Sequence, residues 1–263
     1  MRKLLTANFS RLWKDKIFLA ILAFMTVGAF LINCLNCFGL RDFDGATVYA
    51  ENSAFNMIFV VGILCAVFIS FYIGAEYDHG AIRNKIVVGH SRVQVYFSSL
   101  VLCSAASAAL MMGMLVCSCI AGYLFFPQFL FDWKEHLIIL LCCVLNAVTF
   151  SAIYTGIAMV VPNKAHSVLL CSIVFVVLFA VAFALFDSLQ EMEMIHEYAS
   201  FTENESEMGA LIRLVYDLLP TGQMASMNEV ELTRIHRWPI LSALLISVVT
   251  WIGFQAFKKK DIK

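Results

Sequence analysis

Charged side chains are scarce in this sequence. Asp, Glu, Lys and Arg make up 14% of the 263 residues, whereas 61% are hydrophobic and the mean hydropathy is +0.84. A soluble domain is about 45–50% apolar and about 25% charged, and a soluble chain with this apolar excess would expose patches large enough to aggregate. The shortage of charge therefore excludes a soluble globular protein and predicts an integral membrane protein.

Motifs that carry catalysis are missing as well. There is no G-x-x-x-x-G-K-[ST] phosphate loop, and no Gly is followed by Lys anywhere, which excludes ATP hydrolysis by that route. No H-E-x-x-H zinc motif occurs, because His196-Glu197 is followed by Tyr-Ala. Gly89-His90-Ser91 resembles part of a serine elbow but lacks the second glycine. We predict no catalytic residue in this chain.

Metal sites and long linkers are not expected either. The nine cysteines lie within or beside apolar segments, which is typical of small buried hydrophobic side chains. Two close pairs, at 34/37 and 117/119, have no further His or Cys at ligand-like spacing, so no metal site is predicted. With four prolines and 13 glycines, the chain has little room for a flexible linker. Residues 1–263 are predicted to form a single transmembrane domain.

Six apolar segments are long enough to cross a bilayer, which needs roughly 20 helical residues. Alternation of polar and apolar residues, as in a β-barrel, is absent. The predicted fold is therefore all-α, with six transmembrane helices at 17–36, 54–75, 96–126, 136–161, 167–186 and 239–257.

The distribution of basic residues predicts the orientation of these spans. With both termini on one side, that side holds 13 of the 18 Lys and Arg residues but only four of the 19 acidic ones. Because Lys and Arg are enriched in cytoplasmic segments, both termini are predicted to lie in the cytoplasm of a multi-pass cell-membrane protein. The 76–95 connector and the 162–166 turn then also face the cytoplasm.

The N-terminal segment has an amphipathic pattern. In residues 1–16, Leu4, Leu5, Phe9, Leu12 and Trp13 recur at helical spacing among basic residues, which predicts an interfacial helix on an anionic leaflet. A solvated basic tail is the alternative.

The last outer loop, predicted over 187–238, is acidic and ends in a second amphipathic stretch. Leu211, Leu214, Val215 and Leu218 share one face there, with Pro220 and Gly222 as a stop signal, so residues before Pro220 are predicted to form a short helix on the outer membrane surface. The loop's acidic residues are either solvated or involved in gating or in binding cationic ligands.

Ionisable residues are almost absent from the six spans, which argues against an ion-coupled transporter. Only mild polarity remains there, including Asn33, Asn36, Asn146 and Tyr154. Small and polar residues of this kind usually serve helix packing, and contact with a substrate is the alternative. Energy for transport would have to come from another subunit.

The connector between the second and third spans reads GAEYDHGAIRNKIVVGHSR. Gly80 and Gly89 bracket about two helical turns, in which Ile82 and Ile86 share one face and Arg83 and Lys85 point elsewhere. Asp78 precedes the helix, where a carboxylate is favoured, and Ser91 is placed to cap the next one. The pattern predicts a short helix with an apolar knob and basic flanks, suited to dock in a groove of a cytoplasmic partner.

This stretch resembles the permease subunits of ABC type-2 exporters, particularly those of Gram-positive bacteria. Many of these have an acidic residue with Tyr or Phe, then Gly-Thr-Ile/Leu-Arg-Asn, then Gly-x-Ser-Arg, at the same topological position. Ala81 departs from the usual Thr. The resemblance extends over the organisation of the whole chain, including the LPTGQ segment of the last loop and the basic C-terminus, but as a motif it covers about 20 residues.

The resemblance implies that residues 80–90 form a coupling helix that inserts into a separately encoded ATPase subunit. The implied coupling residues are Glu76, Asp78, Gly80, Ile82, Arg83, Lys85, Ile86, Gly89, Ser91 and Arg92. Glu76 and Asp78 would stabilise its entry, and Arg83, Lys85 and Arg92 would contact the ATPase or lipid phosphates.

Two permeases and two ATPases would work together. ATP and Mg²⁺ would bind the partner, no cofactor would bind this chain, and no nucleic acid would be involved. The resemblance also implies a substrate path at the permease dimer interface, near the first, second and fifth spans. Export of a hydrophobic or amphipathic compound, such as an antimicrobial peptide or a drug, is the expected function. A non-transporting membrane sensor or anchor of an ATPase-linked envelope complex is the alternative, and a membrane enzyme is a third possibility.

Overall fold

The structure is a computed structural model that describes residues 2–40, 55, 57–125, 132–198, 207–229 and 234–260. For residues 2–4, 37–40, 193–198 and 207 only the backbone is described. Every regular element within these ranges is a helix, so the predicted all-α fold is confirmed. Of the first outer loop, predicted over 37–53, residues 41–53 lie outside the described residues, as do Glu203 and Glu205 of the predicted last outer loop.

Ten α-helices and one 3-10 turn follow one another along the described chain. They are α1 Arg2–Leu12, α2 Lys16–Leu40, α3 Ile58–Asp78, α4 Ala81–Val87, α5 Arg92–Phe125, α6 Trp133–Val160, α7 Lys164–Tyr198, α8 Glu207–Leu218, α9 Pro220–Asn228, the 3-10 turn Ile235–Arg237, and α10 Trp238–Lys259. Six of them, α2, α3, α5, α6, α7 and α10, are long and apolar enough to cross a membrane, which confirms the predicted number of spans.

Short polar side chains set where several helices begin. The Asp15 carboxylate accepts the backbone N–H of Ile17 at 2.8 Å at the start of α2. The Asn163 side-chain oxygen accepts the N–H of Ala165 at 2.9 Å at the start of α7. These oxygens satisfy amide groups that have no partner inside the helix, which is why the spans start at these positions.

The centre of the bundle is α6, which packs against α3, α5, α7, α9 and α10. Its inward face carries buried residues such as Cys143, Phe150 and Ala158. By contrast, α2, α7 and α10 have long exposed apolar faces. Within the most apolar 18 residues of each helix, only 22%, 17% and 11% of the residues are buried by the rest of the chain. In a bilayer these three outer faces are covered by lipid or by another subunit.

Close backbone contact joins α6 to α10. A Cβ atom added at Gly253 would lie 3.0 Å from the Cα of Gly156 and 2.4 Å from the hydroxyl oxygen of Tyr96. Glycine at this crossing lets two membrane helices approach more closely than any larger side chain would allow.

The segment predicted as the last outer loop is largely helical. The predicted helix end near Phe186 is wrong, because α7 continues to Tyr198 and Leu189 packs with Ala182 and Tyr216 in a small second core. The predicted stop at Pro220 is correct, since α8 ends at Leu218, but Gly222 lies inside the next helix, α9, whose first turn Pro220 occupies. The predicted short amphipathic helix is present as α8, and α9 is buried against α3, α6 and α7.

Candidate functional site

Two glycines shape the junction between α3, α4 and α5. Gly80 has φ +63° between α3 and α4, and Gly89 has φ +99° after α4. A Cβ atom at either position would meet no atom within 4 Å, so glycine is needed for its conformation and not for space. At Gly89 the N–H groups of Gly89 and His90 donate to the carbonyls of Ile86 and Lys85, which is a Schellman motif. Glycines therefore delimit α4, as the sequence predicted.

Glu76 is a buried carboxylate at the end of α3 that joins three helices. Its side chain is 1% exposed, and Oε1 accepts a hydrogen bond from Nζ of Lys85 in α4 at 2.7 Å. The same oxygen lies 3.8 Å from Nη1 of Arg11, which is half exposed on α1. A buried carboxylate is tolerated only when it is paired and hydrogen-bonded, so this cluster holds α1, α3 and α4 in one arrangement.

The face that α4 turns outward differs from the predicted one. Ile82 is fully buried and Ile86 packs against the core, so these two side chains anchor α4 to the bundle and do not form an external knob. Val87 and Val88 are 77% and 79% exposed and supply the apolar surface instead. The exposed side chains of Arg83 and Asn84 lie beside them on the outward surface.

Lys85 is also turned inward, because it pairs with Glu76 and its side chain is only 13% exposed. Arg83 is thus the basic residue of α4 that remains on the outward surface.

Asp78, the last residue of α3, forms an ion pair with the first residue of α7. Its Oδ2 lies 2.7 Å from Nζ of Lys164, the first residue of α7. Both side chains are partly exposed, so the pair contributes little to stability, in the range of about 0–1 kcal/mol. It nevertheless places the start of α7 beside the start of α4.

Arg92 connects the start of α5 to the end of α10. Its Nη1 donates to the backbone carbonyls of Lys258 at 2.8 Å and Lys260 at 2.6 Å. Carbonyls at a helix C-terminus lack intrahelical partners and carry partial negative charge, so a guanidinium is a favourable partner for them.

Lys260 and Tyr77 complete this contact on the side of α6. The ammonium of Lys260 lies 4.1 Å from the centre of the Tyr77 ring and donates to the carbonyl of Met159 at 3.1 Å. The hydroxyl of Tyr77 donates to the same carbonyl. Burial lowers the pKa of the Lys260 side chain from its ordinary value. The ends of α3, α6 and α10 are therefore joined at the level of α4.

Ser91 occupies the position that the sequence assigned to it, as the residue that caps α5. Its hydroxyl oxygen accepts the N–H of Gln94 at 3.3 Å, and the Gln94 side chain accepts the N–H of Ser91 at 3.3 Å. This reciprocal pair is a capping box, which fixes the direction in which α5 leaves the junction.

The four residues named for a substrate path do not line an open route in this conformation. Asn33, Asn146 and Tyr154 are at most 1% exposed, and Asn36 is half-buried. The Asn33 amide donates to the carbonyl of Ala29 at 2.8 Å. Among the described residues, neither amide atom of Asn146 has a hydrogen-bond partner, and the Tyr154 hydroxyl lacks one too. Substrate contact at these residues would require the helices to separate.

Several residues of the junction were not identified from the sequence. Arg11, Lys164, Val87, Lys260 and Tyr77 take part in it, although they are far apart in the chain or look like ordinary surface residues. The only available signal was their position near those ends of the spans that were predicted to face the cytoplasm. Taken together, the geometry is that of a rigid mechanical joint where α1, α3, α4, α5, α6, α7 and α10 meet.

Comparison with known proteins identifies a family for this chain. Residues 4–182, more than half of the chain, match a family model described as "ABC-2 family transporter protein". The matched region contains the whole junction except the end of α10. No curated protein matches the chain.

Proposed function

The chain belongs to the ABC-2 transporter family, and we propose that it is the membrane-spanning subunit of an ATP-driven exporter. As a permease of this family it is a multi-pass membrane protein that works with an ABC ATPase, and its sequence contains no phosphate-binding loop of its own. ATP and Mg²⁺ bind the partner ATPase. The α4 end of the bundle and both termini face the cytoplasm of a bacterial cell, since the basic residues are concentrated there.

The outward surface of α4 is the docking site for the ATPase. Val87 and Val88 supply exposed apolar contacts, and Arg83 and Asn84 flank them with polar groups. A small apolar centre with a polar rim is typical of protein–protein contacts.

The observation that carries this proposal is the buried pair of Glu76 and Lys85. Because the Glu76 carboxylate binds Lys85 at 2.7 Å and Ile82 is fully buried, α4 cannot move without moving the end of α3. The capping box at Ser91 transmits the same displacement to α5. Closure of the ATPase dimer thus reaches the second and third spans directly, and the ion pair of Asp78 with Lys164 extends it to the fifth.

The transported compound is hydrophobic or amphipathic, such as an antimicrobial peptide or a drug-like molecule, and it passes between two permease subunits. An apolar groove of about 690 Å³ supports this path. It runs along the outer faces of α3 and α7 and is lined by Phe71, Leu169, Ile173, Val176 and Val177. Such a groove suits contact with a second permease subunit and with apolar ligands.

The docking role can be tested by co-purification with the cognate ABC ATPase. Arg83→Glu with Val87→Asp should reduce ATPase capture at least about tenfold, since hot-spot contacts cost about 2 kcal/mol or more. Lys14→Glu is the control, because it also reverses a basic charge at an exposed position, in the turn between α1 and α2. Equal capture of the ATPase by both variants would remove α4 from the interface.

Export itself requires a separate measurement. The permease and ATPase are reconstituted in vesicles, and ATP-dependent movement of labelled cationic peptides and hydrophobic drugs is followed. Movement that stops in the Arg83→Glu/Val87→Asp variant supports export through α4. ATP turnover without movement of any compound would favour the sensor or anchor function over export.

A further inference from the structure

A groove of about 580 Å³ lies between α8 and the start of α10, at the end of the bundle opposite α4. One part of its lining is charged, with Arg213, Asp217, Arg234 and Arg237. The other part is apolar and includes Leu214 and Ile240, which are 55% and 72% exposed. The lining of the groove therefore combines charged and apolar side chains, which suits an amphipathic ligand.

The charge in this groove is unusual for its position in the chain. Outside the segments predicted to face the cytoplasm there are only five basic residues against 15 acidic ones. Three of these five basic residues, Arg213, Arg234 and Arg237, line this single groove. The described lining side chains contribute three positive charges and one negative charge, the latter from Asp217. An anionic group complements this excess.

The position of the groove along the axis of the bundle indicates which anionic group lies beside it. From Trp238 beside the groove, α10 runs 22 residues to Lys259, next to the Arg92 contact. At 1.5 Å per residue this is about 33 Å, close to the thickness of a bilayer's hydrocarbon core. If the α4 end lies at one membrane surface, the groove lies at the phosphate level of the opposite leaflet.

Asp217 holds one side of the groove in place. Its carboxylate is buried, and Oδ2 lies 3.6 Å from Nη1 of Arg234. The side-chain amide of Gln223 in α9 donates to the backbone carbonyl of Asp217 at 2.7 Å, and the Ser242 hydroxyl of α10 donates to the Gln223 side chain at 3.1 Å. These contacts connect α8, α9 and α10, so the arginines are carried on a supported framework.

We propose that this groove binds a phospholipid of the leaflet opposite α4, with the lipid phosphate at the arginines and an acyl chain along Leu214 and Ile240. Guanidinium groups recognise phosphate oxygens through paired, charge-assisted hydrogen bonds. The bound lipid covers apolar surface between α8 and α10 that the chain leaves exposed. This proposal concerns a site remote from the ATPase and does not depend on export.

Binding of phosphatidylglycerol to the purified full-length chain tests the proposal. Lipid is titrated into delipidated protein in detergent, and bound lipid is counted by native mass spectrometry. Arg213→Gln with Arg237→Gln should weaken binding about tenfold, since a hydrogen bond to a charged group contributes about 1.5–3 kcal/mol. The control is Lys134→Gln, which removes an exposed positive charge that does not line the groove and should leave binding unchanged.

Two further arms identify the ligand. Diacylglycerol with the same acyl chains lacks the phosphate and should bind the wild-type and groove variants equally weakly. Inorganic phosphate should not displace phosphatidylglycerol, because it cannot use the apolar part of the groove. Since Arg237 is exposed, the single variant Arg237→Gln should fold normally and show a smaller loss of binding if the double variant fails to fold.

Three results would overturn the proposal. The first is equal phosphatidylglycerol binding by the wild-type chain and a folded groove variant. The second is diacylglycerol binding as tight as that of phosphatidylglycerol. The third is displacement of the lipid by inorganic phosphate, which would make the groove a site for the free anion.

Discussion

Buried carboxylates stand at both ends of the helical bundle, and their surroundings differ. At the α4 end, Glu76 is 1% exposed and accepts a 2.7 Å hydrogen bond from Lys85, with Arg11 nearby. At the other end, Asp217 lies 3.6 Å from Arg234, and burial raises the pKa of its carboxyl, an effect that Arg234 only partly offsets. The Glu76 carboxylate has a close partner. Burial disfavours the charged form of Asp217 by more than its basic neighbours favour that form.

This difference indicates what each end of the molecule does. A tightly paired buried charge couples the helices that carry its partners, because separating them leaves an uncompensated charge in a dry site. Glu76 therefore suits a joint that must move as one body. Asp217 carries less of the local stability and sits among an excess of arginines, which suits a surface that receives a ligand.

The largest effect is expected from breaking the Glu76 cluster. Glu76→Gln leaves Lys85 without its carboxylate in a site that is 13% exposed, and it should lower the free energy of unfolding by about 3 kcal/mol. Equilibrium unfolding in mixed micelles measures this. Adding Lys85→Met should recover much of the loss, because it removes the orphaned charge.

Asp78→Asn is the matched control for this prediction. It makes the same chemical change at a carboxylate that is 55% exposed, and it should cost less than about 1 kcal/mol. If Glu76→Gln cost no more than Asp78→Asn, the tight pair at the α4 end would have no special role in stability.

A glycine substitution at each end gives the next contrast. A Cβ atom at Gly222 would lie 2.2 Å from the backbone carbonyl oxygen of Tyr216, so Gly222→Ala should destabilise the chain by about 2 kcal/mol through overpacking of α8 against α9. A Cβ atom at Gly89 would meet no described atom within 4 Å. Gly89→Ala should therefore destabilise the chain by only about 1 kcal/mol, through the positive φ. Both values are measured by the same unfolding assay.

Gly89→Asn sharpens that contrast, because asparagine tolerates positive φ better than alanine. It should be less destabilising than Gly89→Ala. A larger loss for Gly89→Ala than for Gly222→Ala would mean that backbone conformation at α4 matters more than packing at the opposite end.

The smallest effect is expected at Asp217, and it depends on pH. Because the pKa of the folded carboxyl is raised, the stability that Asp217 contributes is present at low pH, below the unfolded pKa of about 3.9, and is lost as pH rises through the folded pKa. Asp217→Asn should therefore be slightly more stable than the wild-type chain at neutral pH. The advantage should shrink as pH falls toward about 4.

Thermal unfolding of both proteins across this pH range measures the difference. A wild-type chain that instead gained stability over the variant as pH rose would show that attraction to Arg234 outweighs the cost of burial. Asp217 would then be a carboxylate that its basic partner stabilises, as Glu76 is.

Much of the joint at α4 was accessible from the sequence, whereas the outward face of α4 was not. Gly80, Gly89 and Ser91 are local signals, since positive φ and helix capping depend on neighbouring residues. The two faces of α4 look equally plausible in seven residues, because Ile82 and Ile86 lie on one side and Val87 and Val88 follow. Which pair is buried depends on where α4 meets the rest of the bundle.

The segment predicted as the last outer loop shows more clearly what could not be predicted from the sequence. Pro220 is a stop signal in a stretch of sequence, but it is equally suited to the first turn of a new helix. Residues of α9 such as Thr221 and Gln223 are polar and would be expected at a surface. They are buried because α9 packs against α3, α6, α7 and α8, and their polar groups bond to Leu178, Asp217 and Ser242.

The sequence by itself determined the membrane environment, the six spans and the glycine-bounded helix between the second and third. These follow from composition, from the length of apolar runs and from local backbone preference, which act within a few turns of chain. Only the tertiary structure decided that Glu76 binds Lys85 and Arg11, that α9 is buried, and that three arginines share one groove. Such pairings depend on which helices meet in space, and the positions of distant charges along the chain do not encode that directly.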